Sequence, residues 1–173
     1  GGLTALDADG STIYRIANWN LWRSRDGGAN WESINLPKQY DSYPLFIAAH
    51  PTIAGRVYLF HNRAEKSISI SEDGGNTWQK VESPPSTEAG GRIFFSSGDE
   101  MYLLINQFMG TQLAYSADAG MTWMTCESGV PDLKGNISGI ITDPREPEGI
   151  LIGTRRGGIF RGAGGCDSIS TIG

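Results

Sequence analysis

The sequence predicts an all-β fold built from four four-stranded units. An octapeptide, Ser24-Arg25-Asp26-Gly27-Gly28-Ala29-Asn30-Trp31, returns at residues 71–78 and 116–123 with Ser, Asp, Gly and Trp in the same four places. Its Asp residues are 47 and 45 residues apart (73 − 26 and 118 − 73), and a period in the forties indicates a repeat architecture. Alternating segments flank the octapeptides, as half-buried strands require, and 24 glycines suit many tight turns.

The fourth unit is degenerate. Its Ile159-Phe160-Arg161 repeats the lead of the first octapeptide, Leu21-Trp22-Arg23, but the Ser, the Asp and the closing Trp are lost. Terminal repeats often diverge in this way. We therefore expect one domain over residues 1–173, with units at about 1–37, 38–85, 86–133 and 134–173.

Each octapeptide predicts a hairpin turn. Gly accepts the positive φ that such a turn needs, and Asp and Ser side chains can bind backbone N–H groups inside it. The Trp is expected to begin the next strand and to bury its large ring.

Four short strands are predicted in each unit, and no helix. The first two units give strands at 3–7, 12–17, 20–25, 30–35, 45–49, 56–60, 67–71 and 77–82. The last two give strands at 92–96, 101–106, 112–116, 122–127, 137–142, 149–153, 158–161 and 168–172. The connecting segments carry Asp-Gly, Pro and Gly, which are turn residues.

The three octapeptides resemble Asp boxes, the repeat of sialidases and other bacterial-neuraminidase-repeat (BNR) proteins. That family includes Ycf48-type assembly factors, sortilin-type receptors and xyloglucanases. The resemblance covers all four units and implies a β-propeller-type fold with four four-stranded Asp-box blades, as a closed ring or a partial propeller. It also implies that the box is structural and lies opposite the usual ligand face. The residues given this role are Ser24, Asp26, Gly28, Trp31, Ser71, Asp73, Gly75, Trp78, Ser116, Asp118, Gly120 and Trp123.

Composition excludes several classes of function. A net charge of −5 argues against binding to a nucleic-acid backbone, and no apolar run approaches the length of a membrane span. His50 and His61 have no partner at metal-ligand spacing, and the segment 7–11 lacks the later Glu of a calcium loop. We expect neither a metal nor a cofactor.

Two cysteines leave two interpretations open. Cys126 follows the third octapeptide, and Cys166 lies in the degenerate turn of the fourth unit. They are either two buried free thiols or a disulfide between neighbouring units, at the turn that lacks the box Asp. A disulfide would imply an oxidising setting.

A candidate ligand face follows from the resemblance. If the boxes mark one face, the opposite face is built from the turns between second and third strands and from the connections between units. Amides, Arg and aromatic side chains there are typical of sugar or polar-peptide recognition, although a solvated rim is the alternative. The candidates are Asn18, Trp19, Tyr40, His61, Asn62, Arg63, Asn106, Gln107, Phe108, Arg155 and Arg156.

No catalytic residue is assigned. The segment Tyr14-Arg15-Ile16-Ala17 is similar to an early sialidase segment, but it lacks the Pro and falls in a second strand. A glycosidase needs two carboxylates across a cleft. The carboxylates expected on the ligand face belong to no recognisable motif: Asp41, Glu65, Glu88 and Asp132.

The sequence therefore favours a non-catalytic structural or interaction module over an enzyme. We expect a secreted, surface-exposed or virion assembly, with a protein partner or self-association. One alternative is a glycan-binding or sialidase-like glycoside-hydrolase domain. Another is an assembly factor of the Ycf48 type, which would bind a protein partner.

Overall fold

Within the described residues of the computed structural model, sixteen strands form four antiparallel sheets of four strands each. These residues are 3–36, 44–61, 67–82, 91–96, 98–107, 110–126, 137–143, 145–146, 149–155 and 158–172, and none of them is helical. The chain divides into two compact units, Gly1–Glu82 and Ser83–Gly173, with two sheets in each. The predicted fold class is confirmed.

The first unit holds two sheets whose strands follow one another in chain order. The first sheet consists of β1 (Thr4–Leu6), β2 (Ile13–Ala17), β3 (Asn20–Ser24) and β4 (Glu32–Ile34). The second sheet consists of β5 (Pro44–Ala49), β6 (Val57–His61), β7 (Ser67–Ser71) and β8 (Gln79–Glu82). Both are simple meanders, so each strand pairs with its neighbour in sequence.

The second unit repeats this arrangement. The third sheet consists of β9 (Gly91–Phe95), β10 (Met101–Gln107), β11 (Gly110–Ser116) and β12 (Met124–Thr125). The fourth sheet consists of β13 (Ile137–Thr142), β14 (Gly149–Thr154), β15 (Ile159–Ala163) and β16 (Ser170–Thr171). Each predicted strand overlaps an observed one.

The core of each unit lies between its two sheets. In the first unit Tyr14 and Leu21 of the first sheet pack with Ile47, Val57 and Leu59 of the second, and all five are buried. Full burial of an apolar side chain of this size stabilises by about 1.5–3 kcal/mol. The sheets are therefore held face to face by apolar packing.

In the second unit an equivalent core joins the third and fourth sheets. Tyr102 and Leu104 pack with Ile150, Ile152 and Phe160 of the fourth sheet, and each is buried. The alternation predicted from sequence places these residues on one face of each strand.

The box Trp residues differ from the prediction in two respects, because none of them begins a strand and each is only partly buried. The fourth strand of the first three sheets begins two residues after its predicted start and one residue after the Trp, at Glu32, Gln79 and Met124. The reason is that each Trp still belongs to the turn. Its Nε1 donates to the carbonyl of the second box glycine, at 3.0 Å in the Trp31–Gly28 pair.

Candidate functional site

The first box turn, between β3 and β4, is closed by one serine and one carboxylate. Ser24 Oγ donates to Asp26 Oδ1 at 2.8 Å and accepts from the Gly28 N–H at 2.8 Å. The Asp26 carboxylate also accepts from the Asn30 N–H at 2.8 Å and from Asn30 Nδ2 at 2.7 Å. Hydrogen bonds from Asn30 and Ser24 lower the pKa of Asp26 to about 2. The carboxylate is thus fully engaged within its own turn.

The second box repeats this network. Asp73 accepts from the Thr77 N–H at 2.8 Å and from Thr77 Oγ1 at 2.7 Å, and the Gly75 N–H donates to Ser71 Oγ at 2.7 Å. Burial acts to raise the pKa of Asp73, but the hydrogen bonds from Thr77 and Ser71 outweigh it and lower the pKa to about 2.

The third box has the same bonds in Asp118, Thr122 and Ser116, at 2.6 to 2.8 Å. Here too burial acts to raise the pKa of Asp118, and the bonds from Thr122 bring it below the ordinary value. Ala119 takes the place of the first box glycine at a φ of 54°. In all three boxes the Ser and Asp side chains are therefore bound within their own turn.

The fourth turn is held by different groups. Cys166 is joined to Cys126 in a disulfide, and the Gly165 N–H donates to the hydroxyl of Tyr102 on the third sheet at 3.2 Å. Ser168 Oγ closes the turn itself, accepting from the Ala163 N–H at 2.8 Å and donating to the Gly165 carbonyl at 2.9 Å. The fourth turn is thus held by a disulfide and by a hydrogen bond to Tyr102, whereas the other turns are held by the bonds of their Asp and Trp.

Two buried polar side chains of the first sheet bind the second sheet, although neither was predicted from sequence to have a structural role. Asp7, 5% exposed, accepts from the Gly55 N–H with both carboxylate oxygens at 2.9 and 3.1 Å. Arg23, 6% exposed, donates to the Gly74 carbonyl and to Asn76 Oδ1. The only sequence signal was the repeated aromatic-Arg lead that Arg23 shares with Arg161.

The hairpin turn between β2 and β3 presents a tryptophan to solvent. Asn18 and Trp19 form a two-residue loop, because Ala17 pairs with Asn20. Their φ values are 52° and 64°, and two positive φ values are what a type I′ turn requires. Glycine is favoured at the second position, and a bulky residue there is an outlier. The Trp19 side chain is nevertheless 66% exposed.

The other members of the candidate ligand face have mixed outcomes. His61 is not on an exposed rim but buried, because it ends the core strand β6 and its Nε2 lies 2.7 Å from Ser69 Oγ. Arg155 is exposed. Asn106 and Gln107 lie in β10, but their side chains are outside the described part of the chain. The rest of the predicted face also falls outside it: Tyr40, Asn62, Arg63, Phe108 and Arg156.

A shallow pocket of about 260 Å³ lies beside the first box and is lined by Arg23, Arg25, Trp31 and Glu32 among others. Glu32 Oε1 is 2.8 Å from Arg23 Nη2 and 3.2 Å from Arg25 Nε. The lining also includes Asp26, so two guanidinium groups face two carboxylates and the pocket has no net charge to attract an anionic ligand.

Arg15, the residue compared with a sialidase arginine, has a structural contact. Its guanidinium lies over the Trp31 ring, 4.2 Å from the ring centre. The four candidate carboxylates, Asp41, Glu65, Glu88 and Asp132, fall outside the described residues. Among the described residues no cluster of His, Cys, Asp or Glu is placed to hold a metal ion, and no helix could span a bilayer.

Comparison with known families supports the box interpretation. A family model described as sortilin, neurotensin receptor 3 (Sortilin-Vps10) matches residues 19–147, well over half of the chain. The chain belongs to the Sortilin-Vps10 family. A search among curated proteins found no match for this Sortilin-Vps10 chain.

Solved structures show the same fold at low identity. The GH74 xyloglucanase from Xanthomonas campestris is 21% identical, with a TM-score of 0.68 over 98% of this chain and 29% of its own. YCF48 bound to a D1 peptide is 16% identical, with a TM-score of 0.62 over 96% of this chain and 52% of its own. The NanB sialidase from Streptococcus pneumoniae is 17% identical, with a TM-score of 0.58 over 91% of this chain and 28% of its own.

These proteins share the β-propeller fold with Asp-box repeats, and this Sortilin-Vps10 chain has that fold. It spans from about a quarter to about half of their lengths.

Proposed function

We propose that the chain is a non-catalytic recognition module that binds an extended peptide segment of a partner protein through the Asn18–Trp19 turn. The observation that carries this proposal is Trp19, a large apolar side chain that is 66% exposed on a backbone conformation with positive φ. A left-handed conformation costs an L-residue about 1–2 kcal/mol. Such outliers cluster at ligand-binding sites, where the strain is retained for function.

Several observations favour a peptide as the ligand. Tryptophan is enriched among residues that dominate binding energy at protein interfaces. Two hydrogen bonds hold the turn, from Asn20 Nδ2 to the Asn18 carbonyl at 2.8 Å and from Trp22 Nε1 to the Ala17 carbonyl at 3.3 Å. A preorganised backbone at the turn lowers the entropy cost of binding. Among the fold relatives, YCF48 is described bound to a D1 peptide.

The box turns lie at the strand ends opposite the Asn18–Trp19 turn, and their contacts support a structural role. Asp26, Asp73 and Asp118 are each bound within their own turn, and Arg23 and Asp7 are bound between sheets. Groups that are engaged in this way contribute to stability and have little capacity left for a ligand.

Panning a phage-displayed peptide library on the chain tests the proposal. Selected peptides should bind Trp19→Ala about 30-fold more weakly, because loss of a dominant interface side chain costs about 2 kcal/mol. Met124→Ala is the matched control, since Met124 is 57% exposed on β12, and it should bind normally. Equal affinity of the wild type and Trp19→Ala would refute the proposed site.

A glycan is the second candidate ligand. Trp19 stands between Asn18 and Asn20, and an aromatic ring flanked by amides also suits a sugar. Two fold relatives are described as a xyloglucanase and a sialidase. A glycan array with a fluorogenic-glycoside assay separates the candidates: glycan binding lost in Trp19→Ala, or glycoside turnover, would favour this alternative.

We also propose that the chain works in an oxidising setting, as a secreted, cell-surface or virion protein. The Cys126–Cys166 disulfide supports this location, since disulfides persist mainly outside the reducing cytosol. Peptide mapping of protein purified from its native source, with free thiols blocked at lysis, should recover a single linked peptide. Two blocked thiols would contradict the proposed location.

A further inference from the structure

The first and fourth sheets carry equivalent faces, which we call leading faces. Ala5, Tyr14 and Arg23 pair with one another in a row across the first sheet. An equivalent row crosses the fourth sheet in the same strand order. That row consists of Ile141, Leu151 and Arg161. Extending the match along the third and fourth strands adds Leu21 and Ile34 to the first leading face and Ile159 and Ile172 to the fourth.

These two faces differ in what covers them. On the first sheet the second sheet buries the leading face, leaving Tyr14 at 0% and Leu21 at 1% exposure. On the fourth sheet Ile141 is 61% exposed and Ile159 is 54% exposed. Ile172 is 42% exposed as well. An apolar patch of this kind, with its equivalent buried elsewhere in the chain, is typical of an interaction surface.

The arginine on each leading face indicates which kind of surface can pack against that face. Arg23 reaches across to the box turn of the second sheet, where it binds the Gly74 carbonyl and Asn76 Oδ1, and its side chain is 7% exposed. Arg161 instead turns back to Asp143, with Nη2 at 2.9 Å from Oδ2, and its side chain is 36% exposed. Its buried Nε has no hydrogen-bond partner among the described residues.

The aspartate at the end of each first strand has the same position in both sheets. The Asp7 N–H donates to the Thr12 carbonyl, and the Asp143 N–H donates to the Gly149 carbonyl. The Asp7 carboxylate binds the Gly55 N–H of the neighbouring sheet. Asp143 binds its own turn through the Arg145 N–H at 2.9 Å. The fourth sheet thus has an apolar face, an arginine and an aspartate at the positions that bind the second sheet in the first sheet.

The chain also carries the complementary surface. The second sheet covers the leading face of the first sheet with Ile47, Val57 and Leu59. By strand register, the equivalent residues of the first sheet lie on the side opposite its leading face: Thr4, Ile13 and Arg15. We call that side the receiving face. Leu6 extends it and is 60% exposed. The Gly27 carbonyl lies on its box turn, at the place where Gly74 accepts from Arg23.

We propose that the leading face of the fourth sheet docks against the receiving face of the first sheet of a second copy of this chain. Ile141, Ile159 and Ile172 would bury against Leu6 and Ile13 of that copy, and Arg161 would donate to the Gly27 carbonyl. The contact joins two different surfaces, so it is heterologous and each copy retains one surface of each kind. Association therefore continues from copy to copy until a ring closes.

Mass measurement by light scattering and sedimentation, from micromolar to submillimolar concentration, tests the proposal on the full chain. The wild type should exceed the monomer mass as concentration rises. Ile159→Lys and Leu6→Lys should each remain monomeric alone, because each removes one of the two surfaces. Met124→Lys, at a similarly exposed apolar position on β12, should associate as the wild type does.

Mixing the two monomeric variants gives the deciding result. Ile159→Lys keeps the receiving face and Leu6→Lys keeps the leading face, so an equimolar mixture should form a one-to-one dimer and nothing larger. A mixture that stays monomeric would overturn the proposal. Association that survives either single variant, or a wild type that is monomeric throughout, would overturn it as well. A cooperative thermal unfolding transition in each variant shows that it is folded.

Discussion

At the scale of single residues, the box carboxylates do structural work that depends on their charge. Asp73 illustrates this, because its carboxylate accepts hydrogen bonds from the N–H groups of Asn76 and Thr77 and from the hydroxyls of Thr77 and Ser71. The ionised form is the one that these donors favour. Each box therefore links the stability of the fold to pH.

Asp73→Asn should lower the free energy of unfolding at neutral pH by about 1 kcal/mol, because it weakens charge-assisted hydrogen bonds. The pKa of Asp73 in the folded state is about 2, below the ordinary value of 3.8. A depressed pKa gives stability that is present above the ordinary value and is lost as pH falls from about 4 toward 2.

Urea unfolding of the two proteins between neutral and acid pH measures this effect. The variant should lose less stability than the wild type over the acid range, while the control Asp167→Asn, an exposed residue of the fourth turn, should follow the wild type. Parallel curves for the wild type and Asp73→Asn would contradict the role given to the carboxylate.

Residues were predicted from sequence only where their partners are local. The Ser and Asp of each box bind groups within four residues of themselves, so the motif contains its own explanation. Arg23 and Asp7 bind groups more than 45 residues away, and no local pattern reports such a partner. His61 was placed on the rim from its position after a strand, but it is buried because β6 is buried at every position.

At the scale of elements, turns and strands follow from glycine spacing and alternation. The strand ends were less predictable, since each box Trp remains in the turn through its Nε1 bond to a glycine carbonyl. For the fourth turn the sequence left two interpretations of the cysteines open, free thiols or a disulfide, and the structure has the disulfide. The disulfide and the bond to Tyr102 both come from the third sheet, so they depend on tertiary packing.

The disulfide should be the main lock of the fourth turn. Replacing both cysteines with serine should lower the free energy of unfolding by about 2–4 kcal/mol, because the bond closes a loop between residues 40 apart in sequence. Reductant should destabilise the wild type by a similar amount and leave the double variant unchanged. A urea midpoint that is insensitive to reductant in both proteins would contradict this role.

At the scale of the whole molecule, the four repeated sheets determine the fold, whereas the proposed binding site is a separate feature placed on it. The fold could be predicted because the octapeptide recurs in register, and a family model over residues 19–147 agrees with it. The ligand could not be predicted, because the box motif is shared by proteins described as a xyloglucanase, a sialidase and YCF48. Function resides in sites placed on the fold, and here the candidate site is one strained turn.

The residues that stabilise the fold are separate from the proposed binding site, and the single variant Trp19→Gly tests this separation. Glycine adopts positive φ without a side-chain clash, so this change should raise the free energy of unfolding by about 1 kcal/mol. The same change removes the exposed indole, so binding of the selected peptides should fall about 30-fold. Thermal unfolding and peptide titration of this one variant should therefore change in opposite directions. A variant that is less stable than the wild type, or one that binds the peptides as well as the wild type does, would contradict this separation.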